Sequence, residues 1–159
     1  MLLELLSGGI ASELFERTAS TPAVQKALQS SLAPAFLLVG IGSIMNVIVA
    51  RLNWIAGRIE RLEAHEDPDK AARVQAEIDW LYRRRLFARR AIMLSSLAAV
   101  IISVVIALLF VSTYVDAQIG TLIAVLWVVT IALLITGLGH FLRETSIAAR
   151  GSESFRKKR

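Results

Sequence analysis

Three long stretches without a single Asp, Glu, Lys or Arg constrain this chain more than any other feature: Ala27 to Ala50, Ala91 to Val115, and Ala117 to Leu142. A helix rises about 1.5 Å per residue, so roughly 20 apolar residues cross a hydrocarbon core about 30 Å thick. Each stretch exceeds that length, and the surplus allows tilt or helix ends in the headgroup layer. In lipid an unpaired backbone N–H or C=O costs several kcal/mol, so a crossing segment must be helical. The competing account is a soluble bundle with greasy core helices. It fails on Ile92 to Val115, which has no polar face beyond scattered Ser, whereas a soluble helix keeps a charged one. The fold class expected is therefore all-α, an integral membrane protein with three transmembrane helices.

The distribution of Lys and Arg sets the expected topology, because these residues collect in short cytoplasmic loops. Before the first span stand only Arg17 and Lys26, and around Tyr114-Val115-Asp116 there is neither Lys nor Arg. Between spans one and two lie Arg51, Arg58, Arg61, Lys70, Arg73, Arg83, Arg84, Arg85, Arg89 and Arg90. After span three come Arg143, Arg150, Arg156, Lys157, Lys158 and Arg159. Three crossings put both basic segments inside only if the N-terminus is outside and the C-terminus cytoplasmic. The formal net charge of +5 then reflects orientation and contact with anionic headgroups, foremost through Arg83, Arg84, Arg85, Arg89 and Arg90, and no nucleic acid partner is expected. The acidic start Met1-Leu2-Leu3-Glu4 does not read as a cleaved signal peptide, and the absence of Cys excludes disulfides and thiolate chemistry.

The expected organisation is an extracytoplasmic segment over 1–21, up to Arg17 either a weakly amphipathic surface segment or a frayed tail, and a first transmembrane helix with an outer extension over 22–50. A cytoplasmic helical hairpin over 51–90, spans over 91–115 and 117–142, and a basic tail over 143–159 complete it. Thr21-Pro22 reads as a helix start, and Pro34 removes one hydrogen bond inside the first span. In the hairpin, Leu52, Ile55, Ile59 and Leu62 recur at helical spacing and are answered by Val74, Ile78 and Leu81. His65-Glu66-Asp67-Pro68-Asp69 makes the turn, with Asp67 or Asp69 able to cap the returning helix and His65 in solvent.

The run Leu32-Ala33-Pro34-Ala35-Phe36-Leu37-Leu38-Val39-Gly40-Ile41-Gly42 is followed by Met45-Asn46-Val47, Arg51-Leu52 and Arg58-Ile59-Glu60-Arg61-Leu62-Glu63. With Arg83-Arg84-Arg85 before span two and Phe141-Leu142-Arg143-Glu144 after span three, this ordered set resembles a family of small bacterial membrane proteins of unknown function. The resemblance covers roughly Gln25 to Ala149 and implies a bacterial inner-membrane location and the three-span plan, but no mechanism. One departure is Gly57, where the family pattern has an acidic residue beside Arg58.

Three constellations stand out within the spans. Gly42, Asn46, Ala50, Asn53 and Gly57 share one face of the first helix, either as the lining of a hydrated path or as a packing surface of small and amide side chains. Ser95, Ala99, Ser103 and Ala107, each four apart, form a small-residue packing seam on span two. Thr136, His140 and Glu144 follow at four-residue steps on span three. His140 and Glu144 there form either a proton-sensing pair or ordinary interfacial groups, Glu144 held by arginines.

No enzyme is expected. Ser residues in the spans have no adjacent base and no phosphate-cradling loop precedes a Lys. The carboxylates of Glu60, Glu63, Glu66, Asp67 and Asp69 lack Ca²⁺-loop spacing and alternate with Arg, so neither metal nor cofactor is expected. The functional expectation is a homo-oligomeric inner-membrane assembly forming a small ion channel. The alternative is a membrane scaffold or accessory subunit that binds a protein partner through its hairpin.

Overall fold

Backbone polar groups with no water available pair within their own helix, and the chain shows this to an extreme degree. The computed structural model describes residues 21–64, 71–114 and 119–156. Among them there is no strand, only α1 (Thr21–Glu63), α2 (Ala71–Tyr114) and α3 (Gly120–Arg156), of 43, 44 and 37 residues. All three are long and apolar enough to cross a membrane. The expected N-terminal segment, the expected turn with His65, Asp67 and Asp69, and the expected turn around Asp116 lie outside the described residues.

α1 runs unbroken from the apolar run through Arg51 into the hairpin, and α2 enters span two directly, so span and hairpin share their helices. The basic segment after residue 142 continues α3 to Arg156. Its stretch Arg143 to Arg150 contains neither Gly nor Pro, so nothing in it stops a helix that is already propagating.

The apolar surface points outward. Phe36 is 71% exposed and Leu142 67%, and the most apolar windows of the three helices bury only 17%, 22% and 11% of their residues. A water-soluble bundle reverses that distribution. Lipid as solvent removes the contradiction, and the chain is a multi-pass membrane protein by this criterion.

By internal contacts the chain falls into two compact units, one of Met1–Val39 with Val100–Val128 and one of Gly40–Ala99 with Val129–Arg159. In the first, Ala27, Ser31 and Pro34 of α1 and Ile102 and Val105 of α2 are buried. In the second, Ile48 packs on Ala88 and Ala91 with Ile44, Leu52, Ile92 and Phe141 around them. Further along the same pair of helices, Ile55, Ile59 and Leu81 form a cluster flanked by Leu62 and Trp80. As α1 advances from Ile48 to Ile55, its α2 partners fall from Ala91 to Leu81, which is antiparallel pairing.

Burial along each helix has a period of seven. On α1 it takes Ala27, Pro34, Ile41, Ile48 and Ile55; on α2, Ala88, Ser95 and Ile102 alternate with Ala91, Ala98 and Val105; on α3, Thr130, Gly137 and Glu144. A repeat of 3.5 keeps a seam facing its neighbours over many turns. Steps of four advance the helix by ~40° beyond a full turn each time, so they walk off the seam. On span two Ser95 is buried and Ala99 partly so, whereas Ser103 and Ala107 are exposed, so within this chain the seven-residue repeat carries the packing and the outer half of the four-residue seam faces away from it. Ser95 meets α3 where Gly137 sits, and a Cβ on Gly137 would lie 3.2 Å from Ser95 Oγ and 3.5 Å from the Ala91 carbonyl oxygen. The absent side chain lets the two backbones approach.

Candidate functional site

At one level of the second unit, each helix contributes one charged residue to a single cluster. Glu144 of α3 has no exposed surface, which for a carboxylate demands full compensation. Arg84 of α2 supplies it by donating from Nε at 2.9 Å and Nη2 at 2.7 Å to Glu144 Oε1. Arg51 of α1 donates from Nη1 to Glu144 Oε2 at 3.0 Å, and the same nitrogen reaches Thr145 Oγ1 at 3.3 Å. Thr145 in turn donates to the Phe141 carbonyl at 3.0 Å. Both carboxylate oxygens therefore accept charge-assisted bonds, the stronger class.

Aromatic rings complete the enclosure. The Arg84 guanidinium carbon lies 4.6 Å from the Trp80 ring centroid and 5.6 Å from that of Trp54, while Arg51 lies 5.6 Å over Phe141. A flat guanidinium between ring faces is attracted by their quadrupoles while its edge nitrogens stay free for the carboxylate. Arg84 is consequently buried, while Arg51 keeps 41% of its side chain exposed. The seven-residue seam explains the placement, since Arg84 sits between Leu81 and Ala88 on α2 and Glu144 follows Gly137 on α3. Two arginines against one carboxylate leave the cluster with one formal positive charge.

The three residues come from Arg51-Leu52, Arg83-Arg84-Arg85 and Phe141-Leu142-Arg143-Glu144, three segments of the ordered motif set. The family described as "Protein of unknown function (DUF2721)" matches residues 31–153. The chain belongs to the DUF2721 family. No curated protein and no solved structure matches it. In this DUF2721 chain the cluster ties all three helices together through the motifs that the sequence carries most distinctly.

The other expected residues of the DUF2721 chain distribute as follows. Arg83, Arg85, Arg89 and Arg90 are exposed and free to meet headgroups, but Arg84 is not a headgroup contact because the seam turns it toward Glu144. His140 and Glu144 are not brought together: Glu144 faces the arginines, and the His140 ring lies 6.0 Å from that of Phe87. His140 Nδ1 is buried without a hydrogen-bond partner among the described residues. Gly42, Asn46, Ala50 and Asn53 do share an exposed face, with Gly57 at its partly buried end, and a Cβ on Gly42 or Gly57 would meet nothing within 4 Å. That face lies opposite Ile48 and Ile55, so it packs on neither α2 nor α3. At the former Gly57 departure, Arg58 has its acid elsewhere, donating from Nε and Nη2 to Glu77 Oε1 at 2.9 and 2.7 Å. Among the described residues no group of three or more His, Cys, Asp or Glu could hold a metal ion.

Proposed function

We propose that the protein is a homo-oligomeric scaffold or accessory subunit of the bacterial inner membrane, its N-terminus outside and its hairpin and C-terminal helix in the cytoplasm. The observation that carries this reading is the Arg51–Glu144–Arg84 cluster, placed where α1 and α2 leave the apolar runs without a break. It fixes the first turns of the hairpin to α3, and the clusters of Ile48 and Ile55 continue on either side. A projection held this stiffly presents a surface with little conformational entropy left to lose on binding a partner. Trp54 and Tyr82, exposed on that projection, supply aromatic anchors of the kind partner interfaces favour.

The test is photo-crosslinking in cells with a photoreactive residue at Tyr82. A discrete protein adduct that E144Q abolishes, while insertion is unchanged, supports a rigidly presented docking site. Adducts to lipid alone would end the scaffold reading.

A second reading, a small ion channel, rests on the exposed face of Asn46 and Asn53, because amides facing lipid are costly and copies arranged around an axis would hydrate or pair them. Polarity on this face is confined to its inner half, since Leu28, Ala35 and Val39 continue it outward and Asn46 lies close to Ile48, which packs on α2 beside Arg89 and Arg90. Reconstituted protein that passes small ions, with a flux changed by Asn46→Leu, would favour the channel over the scaffold.

A further inference from the structure

The arginines of the second unit divide into those with a carboxylate and those without. Arg51 and Arg84 share Glu144, and Arg58 holds Glu77. Among the described residues of 71–150 no carboxylate pairs with Arg143 or Arg150, and the two stand on one face of α3 with Ser146 and Ile147. Offsets of three, four and seven residues place these four side chains together. They line an open cleft of about 320 Å³. Glu144, adjacent in sequence to Arg143, cannot neutralise it because both carboxylate oxygens are committed to the arginines of the other two helices.

The level of the cleft identifies what fills it. The uncharged run of α3 ends at Leu142, so Arg143 is the first charge after the apolar stretch, where phosphates of a bilayer begin. Arg150 follows two turns later, roughly 10 Å along the axis, in the depth occupied by the polar part of a headgroup. Ser146 already donates its proton to the Leu142 carbonyl at 2.9 Å, which leaves its oxygen as an acceptor for a headgroup hydroxyl. Above Arg143, Gly139 is open to its surroundings and Thr136 turns its hydroxyl onto the Ala132 carbonyl, so the same face offers a smooth path for an acyl chain.

We infer that the Arg143–Ser146–Arg150 cleft is a binding site for one anionic phospholipid with a hydroxylated headgroup. The site is independent of whether the protein is a scaffold or a channel and needs only that α3 crosses a bilayer. It differs from the general attraction of Arg83, Arg85, Arg89 and Arg90 to the membrane surface, because Arg143, Ser146 and Arg150 border one common volume.

The experiment is native mass spectrometry of the purified full chain in mild detergent, titrated with phosphatidylglycerol and, separately, phosphatidylcholine. Wild type is expected to retain one phosphatidylglycerol per chain in preference to phosphatidylcholine. The R143Q/R150Q pair should weaken that binding about 30-fold, at roughly fivefold per arginine. The R89Q/R90Q pair should leave the retained lipid within about twofold, because these residues lie outside the cleft. R143K/R150K, which keeps both charges, tests binding in a variant with unaltered electrostatics should the glutamine pair fold poorly, and it should stay near wild type. Equal losses in the two glutamine pairs would mean diffuse attraction and overturn the site. Unchanged binding by R143Q/R150Q, loss in R143K/R150K, or displacement of the lipid by inorganic phosphate at matching concentration would overturn it as well.

Discussion

Glu144 decides more than any other single side chain, because it is an acid with no exposed surface held by two cations from two other helices. Removing one partner of a buried pair leaves an uncompensated charge, a loss of about 3–5 kcal/mol. Glu144→Gln keeps the shape and strands Arg84, so thermal unfolding in detergent should report destabilisation of that order. Arg51→Gln should cost much less, since Arg51 is 41% exposed and water compensates its loss. Replacing all three by apolar residues of similar volume should restore much of the stability, as the desolvation penalty then disappears with the charges. Gly137 and Gly139 offer a second contrast two residues apart. Gly137→Val drives a side chain against Ser95 and should cost about 1–3 kcal/mol more than Gly139→Val, which meets open space. The same unfolding midpoints check it. Of these residues, the sequence marks Glu144 and the arginines through their motif segments, but it does not show that they meet. Offsets of three, four and seven all bring helical side chains onto neighbouring positions, and only packing selects the seven.

At the scale of elements, the hairpin portions of α1 and α2 are amphipathic helices with one small interface. Ile55, Ile59 and Leu81 carry it, and Arg58–Glu77 sits at its edge, partly exposed on both sides. Ile55→Ala or Leu81→Ala should cost about 2–5 kcal/mol locally, and Arg58→Gln less than about 1 kcal/mol. Hydrogen exchange resolves the two effects, since amides of 52–63 and 71–82 should lose protection in the apolar variants while those of 92–110 keep theirs. These elements were legible because water provides contrast: a polar face and an apolar face alternate with the helical period. The seams within the spans were not. Lipid-facing and protein-facing residues there are both apolar, so hydropathy along the chain carries almost no period, and stripes of Ser, Ala and Gly chosen at four-residue spacing drift off the buried face. Helical spacing puts Asn46 and Asn53 on one face, but only the packing of Ile48 and Ile55 shows that this face turns away from α2.

For the whole molecule, the absence of any cysteine in the chain makes orientation directly measurable, because one introduced thiol is the only reactive one. Ala64→Cys should be labelled by an impermeant maleimide only after the inner face is opened, and Asp116→Cys in intact cells. The reverse pattern would invert the topology. Lipid as surroundings accounts for the outward apolar surface, and the charged cluster joins the three helices within the second unit. That cluster also orders events in time. Its two cations are synthesised in α1 and α2, and the carboxylate they share is synthesised only later, in α3. The first two helices can therefore meet through Ile48 and Ile55 before the acid that joins Arg51 and Arg84 to α3 exists.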